Sequence, residues 1–383
     1  MRILIVTPWF PTAASPSSGV FVLRDVLALA REHEVRVVHL VTPSLLGDEP
    51  RRQAVGGDAL RADWRQGAAA SRPVEVLRVP VDRRSPVAWA RAARAVRVAA
   101  READVVHTQA ISGLAPFALR RPAGRTPWVH TEHWSALTAP ETLGAAGRAA
   151  MPLLLHLLAR PDVVTLACER LAVPVRAARR GRRVELVPCL VPAPGRVVEA
   201  PREASEVRLV GIGSLIPRKD PVCAVETVAE LRRRGVPASL TWVGEGPQRA
   251  AALEAAHRLG VGEHVHLLGD RPPEGVATAL ERSDLLLLPT HGDNFCIVVA
   301  EALSAGRPVV SGAATGASEY TDPRVGAFVA DQAPRAYADA VQSVLAATAA
   351  MPARDIAATV AGRFTATAVA ERYTRVYESL VGA

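Results

Sequence analysis

Short runs of consecutive apolar residues recur along the chain, each followed by a segment with helical period. In the first half they are Ile3 to Val6, Val35 to Val41, Val74 to Val79, Asp104 to His107, Trp128 to His130, Val163 to Ala167 and Glu185 to Val187. In the second half they are Val207 to Ile212, Leu240 to Val243, Val265 to Leu268, Leu285 to Pro289 and Pro308 to Ser311. Because apolarity within each run is continuous rather than alternating, the runs predict parallel strands buried on both faces. Helices are predicted between them, as at Val222 to Arg234 before Gly235 and at Pro247 to Leu259 before Gly260, where a glycine stands just past the last turn. Two more, Arg335 to Thr348 and Thr367 to Leu380, lie near the end of the chain. The alternation pauses at the proline-rich stretch Pro188 to Pro201, which lacks backbone donors at its prolines and reads as a stiff linker. The expected fold is α/β, two doubly wound Rossmann-like domains covering residues 1–195 and 196–366.

Composition narrows this picture. The 383 residues are 49% hydrophobic and 22% charged, values that exclude disorder and collagen-like repeats. The longest apolar stretch, Met151 to Ala159, is broken by Pro152 and His156 and falls short of the roughly 18 residues of a membrane span. The opening MRILIVTPWF is too short for a secretion signal and reads as a strand, so a cytoplasmic location is expected. The net charge of +8 divides unevenly: residues 1–200 carry 28 basic and 17 acidic side chains, residues 201–383 carry 18 and 21. A basic first half suggests an anionic partner: a membrane surface met at its inner face through the Arg176 to Arg183 run, nucleic acid, or a phosphorylated or other anionic soluble substrate. Aromatic residues, at 4%, are too few for base-stacking platforms, which argues against nucleic acid. Cys168, Cys189, Cys223 and Cys296 form no CxxC and have no histidine at zinc-like spacing, so neither a disulfide framework nor a metal site is expected. The basic residues are 45 arginines and one lysine, Lys219.

Two segments carry candidate chemistry. In LVGIGSLIPRKDP, Leu209 to Pro221, a strand runs into Gly211, Gly213 and Lys219 before the next helix. Glycines let backbone amides approach a ligand, and a helix start with an ammonium supplies positive potential for phosphate. No GK[ST] is present, so this is not a Walker loop. In LLLLPTHGDNFCIVVAEALSAGRPVV, Leu285 to Val310, a strand leads to a polar loop with His291, Gly292, Asp293 and Asn294, then to a helix expected from about Phe295 to Ala305. Asp293 and Glu301 are eight residues apart, up to about 12 Å along that element, roughly the span of a diphosphate with its sugar and ribose. The helix start between them points amides at phosphates. Glu301 stands among apolar neighbours, where a carboxylate is costly without a partner. Among the histidines, His107 and His130 read as core or cleft-edge groups, whereas His133 lies past a strand end, where α/β sites form.

These segments resemble the retaining GT-B glycosyltransferases of family 4, whose hallmark is an acidic pair with seven residues between, here Asp293 and Glu301. The resemblance implies two Rossmann-like domains facing a cleft, with the C-terminal helix, about 367–383, packing back on the first domain. It implies transfer of a sugar from a nucleotide-diphosphate donor, UDP or GDP, to an unidentified acceptor with retention of configuration and without a metal cofactor. By the same resemblance Lys219 binds the diphosphate, Asp293 contacts sugar hydroxyls, Glu301 holds the ribose, and His133 sits beside the donor sugar. Gly213, Ser214 and Arg218 belong to the segment GSLIPRKD, in which Ser214 stands where the family has arginine and Asp220 where it has glycine. Asn294 and the amides of Phe295, Cys296 and Ile297 fall at the phosphates, and Asp270 and Arg271 in LLGDRPP flank the base. WVGEGPQ at Trp242 to Gln248 and TGASE at Thr315 to Glu319 match as well. PSSGVFV resembles the family's glycine-rich loop with Gly19, and VPCLVP its hinge, Cys189 replacing asparagine. The acceptor classes that fit are a cell-envelope glycan or lipid and a secondary-metabolite scaffold. Two other readings share these residues: a GT-B epimerase or phosphorylase, and a non-catalytic nucleotide-sugar-binding protein.

Overall fold

A computed structural model describes residues 1–16, 18–55, 72–122, 124–200 and 206–382. It divides into two compact units, Met1–Leu190 with Phe364–Ala383, and Val191–Arg363. Pro201, the end of the expected linker, lies outside the described residues; residues 187 to 200 form no helix or strand.

Among the described residues the first unit is built on eight strands: β1 (Arg2–Thr7), β2 (Glu34–Val41), β3 (Arg52–Val55), β4 (Val74–Pro80), β5 (Val105–Gln109), β6 (Trp128–Glu132), β7 (Val163–Leu166) and β8 (Val184–Leu186), in the order β3-β4-β2-β1-β5-β6-β7-β8. All pair in parallel except β3, an antiparallel edge strand on β4 that the apolar pattern does not announce. Side chains alternate across the sheet, and both faces are covered. Ile3, Ile5, Val105, Val129 and Val163 pack on one side with helix Val20–Leu29, while Leu4, Val6, Val106 and Val164 pack on the other with Phe117, Leu171 and Val175. Two buried faces explain why these strands read as unbroken apolar runs.

Helix Ala366–Val381 packs on the first of these faces through Val369, Tyr373, Val376 and Tyr377. It is also held by buried polar contacts. The Tyr377 hydroxyl meets His107 Nδ1 at 2.6 Å, His107 Nε2 meets Thr131 Oγ1 at 2.6 Å, and the Tyr373 hydroxyl donates to Asp25 Oδ2 at 3.3 Å. His107 and His130 are thus satisfied core groups. Burial pulls the His107 imidazole down to about 3 and pushes the Asp25 carboxyl up from 3.8 to about 7, the second shift only partly offset by Tyr373 and Arg24.

The second unit carries β9 (Val207–Ile212), β10 (Ala238–Val243), β11 (Val265–Gly269), β12 (Leu285–Leu288), β13 (Val309–Gly312) and β14 (Gly326–Val329), all parallel, in the order β11-β10-β9-β12-β13-β14. The chain builds outward from β9 to one edge, then returns to start β12 on the other side of β9. This is the doubly wound order, and it opens a crevice at the carboxyl ends of β9 and β12. Leu285 to Leu288 are each fully buried. Gly211 has a packing role: a Cβ there would stand 2.2 Å from the Trp242 ring, so only glycine lets that indole lie across β9.

Asp25 yields a pH prediction. Its folded-state pKa lies above the unfolded value, so its contribution to stability is complete below about pH 4 and is lost as pH rises to about 7. Asp25→Asn is expected to melt above the wild type at pH 8, by an increment on the order of a few kcal/mol, and to lose that advantage at pH 4. A difference in thermal denaturation that is the same at both pH values would contradict the assignment.

Candidate functional site

At the carboxyl ends of β9 and β12 four of the sequence-predicted residues meet: Lys219, Arg218, Asp293 and Cys296. Lys219 ends the short turn Pro217–Lys219 after β9, and Asp293 follows β12. Although 74 residues apart in the chain, they meet directly, with Lys219 Nζ donating to Asp293 Oδ2 at 2.6 Å. Arg218 donates to the Gly292 carbonyl at 2.6 Å, and its guanidinium lies 3.5 Å from Asp293 Oδ2. The Cys296 amide donates to Asp293 Oδ1 at 3.2 Å. Burial raises the Asp293 carboxyl, but Lys219, helped by Arg218, more than offsets this and holds it below the usual carboxylate range. Lys219 itself is only 9% exposed. The Cys296 thiol is pushed up to about 12 by burial and by Asp293, which leaves it inert as a nucleophile.

The loops around this pair are stitched to one another. His291 Nε2 meets Asp220 Oδ2 at 2.9 Å, while Asp220 Oδ1 accepts from the Cys223 amide at 3.1 Å and caps helix Pro221–Arg233. Thr290 Oγ1 and the His291 amide both donate to the Arg218 carbonyl. Asp220, Thr290 and His291 were not among the predicted site residues. Their signal was present at Asp220, an aspartate directly before a helix-starting proline, which reads as a cap. The replacement of glycine there therefore has a structural role.

Several expectations are corrected. The helix begins at Ile297, not Phe295, because Cys296 adopts a left-handed conformation (φ 58°) and its amide is already engaged by Asp293. Phe295 is buried against Tyr320, ring centroids 4.9 Å apart, and its carbonyl accepts from the Tyr320 hydroxyl. That leaves Ile297 and Val298 as the first helical amides, which have no carbonyl within the helix to bond. The Gly213 amide is not offered to a ligand, since it donates to the Val243 carbonyl at 2.9 Å, while its own carbonyl accepts from Trp242 Nε1. Ser214 is exposed on the loop after β9. Asn294, beside Asp293, accepts from the Gly316 amide through its carbonyl. Glu301 is half-buried on the second turn of helix Ile297–Ser304, between buried Ala300 and Ala302. Asp270 and Arg271 lie exposed on the loop after β11, where Asp270 Oδ1 accepts from the Glu245 amide.

In the first unit, His133 follows β6. Its Nε2 lies 2.8 Å from Gln109 Oε1, an oxygen that only accepts, so Nε2 carries the hydrogen. Its ring packs on Phe21 and Trp9, and burial pulls the imidazole down to about 4 despite Glu132 next to it. Glu132 is fully buried and is satisfied by His130 Nε2 and the amides of His133 and Trp134. Gly19 precedes helix Val20–Leu29 at φ 68°, and a Cβ there would stand 2.3 Å from the Trp9 carbonyl carbon, so its backbone closes on Trp9. In the Arg176 to Arg183 run, Arg179 is buried and bonds the carbonyls of Leu158, Pro161 and Asp162. Arg176 pairs with Glu169, Arg182 with the Ala159 carbonyl, and Arg183 with Glu185 and Ser379. Most of that run serves the fold. Among the described residues no cluster of three or more His, Cys, Asp or Glu is placed to hold a metal ion.

Comparison with known proteins meets this geometry. Residues 206–347 match the model described as glycosyl transferases group 1, and residues 18–190 match a glycosyl transferase 4-like domain. The chain belongs to the group 1 glycosyltransferases. A D-inositol 3-phosphate glycosyltransferase from Nocardia farcinica is 29% identical over 63% of this chain and 58% of its own length. A GDP-mannose-dependent phosphatidylinositol monomannoside mannosyltransferase from Mycolicibacterium smegmatis is 34% identical over 40% of this chain and 42% of its own. The matched regions thus span about half of these relatives. Among solved structures, sucrose-phosphate synthase from Thermosynechococcus elongatus superposes with a TM-score of 0.77 at 17% identity over the full length of both chains. The Anabaena protein HepE in complex with UDP gives 0.76 at 18% identity, over 99% of this chain and 100% of that one. These likenesses place the fold in the GT-B class.

One position tests the stitching of the loops. Gly244, at φ 135°, would bring a Cβ within 2.2 Å of the Gly213 carbonyl oxygen, and its amide bonds the Gly269 carbonyl. Gly244→Ala is expected to lower stability by about 2 kcal/mol or more in urea denaturation; an unchanged midpoint would contradict this close approach.

Proposed function

We propose that the protein transfers a sugar from a nucleoside-diphosphate sugar to an acceptor, with retention of the anomeric configuration. The observation that carries this is the direct meeting of Lys219 and Asp293 across the β9/β12 crevice, next to the Arg218 guanidinium. A diphosphate bound there takes Lys219, Arg218 and the Ile297 and Val298 amides as partners, and Glu301, on the following turn, takes the ribose. When the glycosidic bond breaks, negative charge develops on the departing phosphate, and preorganised cations stabilise it. The reading gives this charge compensation to side chains rather than to a metal ion. Asp293 is assigned to sugar hydroxyls; in the first unit His133, neutral at physiological pH, is a hydrogen-bonding group and not a proton-donating acid. Asp270 and Arg271 flank the base through backbone, and Gly213 and Ser214 shape the loop that meets the donor. UDP and GDP are the favoured nucleotides: the HepE structure is a complex with UDP, and the M. smegmatis relative is named for its dependence on GDP-mannose.

UDP, GDP, dTDP and ADP can be screened by thermal shift, where a bound ligand raises the melting temperature by mass action. UDP or GDP is expected to stabilise the wild type. Lys219→Ala is expected to abolish that shift and lower turnover by more than about tenfold with the fold intact. Wild-type transfer by this variant would overturn the assignment.

For the acceptor, we propose a molecule presented at an anionic membrane surface. Helix Ala145–Leu158 contains no acidic residue, and only Leu158 among its residues is buried. Leu153 on it is 63% exposed, and the neighbouring turn Ile111–Phe117 leads to Leu119, 92% exposed, and to Arg120. Apolar side chains beside Arg120 and Arg148 suit a surface that is both anionic and apolar at its boundary. No helix among the described residues is long and apolar enough to cross a membrane. The protein is expected to float with phosphatidylglycerol vesicles at low salt, and Leu153→Glu to weaken this severalfold. Protein remaining wholly in the soluble fraction would remove the proposal.

A further inference from the structure

The groups assigned to the donor diphosphate are engaged by a carboxylate of the chain itself. Lys219 Nζ and the Arg218 guanidinium both face Asp293 Oδ2, at 2.6 and 3.5 Å, and the Cys296 amide donates to Oδ1 at 3.2 Å. Two cations and an N–H converging on two oxygens is the environment a phosphoryl group receives in an anion site. Lys219 is 91% buried, and an ammonium at that depth is unfavourable without a counter-charge. Some anion has to stand there before the ligand arrives.

We infer that Asp293 is the internal occupant of the diphosphate site, a carboxylate that neutralises Lys219 in the free protein and is exchanged for phosphate when donor binds. The inference rests on the donor reading above and adds an order to it. Asp293 becomes available to a sugar hydroxyl only after the diphosphate has taken Lys219 from it, so sugar positioning follows phosphate capture. A lone inorganic phosphate exchanges one anion for another with little new contact. A nucleoside diphosphate adds a second phosphoryl group, a ribose and a base, and so outcompetes the carboxylate.

The test uses Asp293→Asn, which keeps an oxygen for the Cys296 amide and removes the competing charge. The probe is whichever of UDP, GDP, dTDP and ADP stabilises the wild type, without a sugar, so that lost sugar contacts play no part. Isothermal titration is expected to show the variant binding this nucleotide at least about tenfold tighter than the wild type, because a competing charge has been removed from a largely desolvated site. A second readout comes from Lys219 being the only lysine in the chain, so lysine labelled with 15N reports one side chain by NMR. Its Nζ protons are expected to exchange with water faster in the free variant than in the free wild type. Equal or weaker nucleotide binding by Asp293→Asn, or unchanged exchange, overturns the inference and leaves the donor reading standing. Absence of nucleotide binding to both proteins overturns the two together.

Discussion

The site depends on one ion pair and on the topology that makes it. Lys219 and Asp293 belong to loops after two strands that are neighbours in the sheet but are separated in the chain by β10, β11 and their helices. Only the return of the chain to the far side of β9 brings them together, at the point where adjacent loops diverge and leave a crevice. Everything else in that region fixes the two loops against each other. Asp220 caps a helix with one oxygen and holds His291 with the other, and Thr290 and His291 share the Arg218 carbonyl. An ion pair exposed on a surface is worth little, but one held between braced loops and largely out of water keeps its Coulombic strength and fixes the position of both partners.

The first unit solves a related problem differently. Its last helix arrives from the end of the chain and covers a sheet face with apolar side chains, but Asp25, His107 and Thr131 beneath it are polar and buried. Leaving such groups without partners costs about 1–3 kcal/mol each, so the helix brings Tyr373 and Tyr377, whose hydroxyls reach Asp25 and His107. The two titratable groups pull in opposite directions. His107, held neutral by burial, favours the folded state as pH rises above its low folded value, whereas Asp25, held protonated, weakens it as pH climbs toward about 7. This docking surface is therefore most secure at intermediate pH.

The fold class was legible in the apolar runs, because a strand buried on both faces cannot hide its composition. Ile3 to Val6 and Leu285 to Leu288 illustrate this. What escaped were elements whose sequence is shaped by something other than burial. β3, with Arg52 and Gln53 in an edge strand, has the composition of a loop, and β14, at Gly326–Val329, is a short run opened by glycine. The helix starts two residues later than composition suggests, because Phe295 and Cys296 look like the first apolar turn. In fact Phe295 packs on Tyr320, and Cys296 takes a left-handed conformation that a non-glycine residue does not announce. Gly211 and Gly213 are alike in sequence, yet one makes room for an indole and the other turns the chain with both its backbone groups already bonded. At the site, residue types and their spacing suggested phosphate chemistry, but contact between Lys219 and Asp293 is a property of strand order that no local spacing contains.

Strand order also bears on why the one lysine of an arginine-rich chain stands at position 219. Arginine offers a planar fork whose donors want fixed partners, and Arg218 behaves this way, committed to the Gly292 carbonyl while leaning toward Asp293. A second guanidinium at 219 would spread donors into a space bounded by Gly213, where a Cβ would already stand 3.7 Å from the lysine stem, and by Asp293. An ammonium is a compact charge with three rotatable donors, and it can pass from one anion to another without rebuilding a planar geometry. A site that holds a carboxylate in one state and a phosphate in the other needs a cation of this kind. The neighbouring arginine, fixed to the backbone, keeps the loop in place while the exchange occurs.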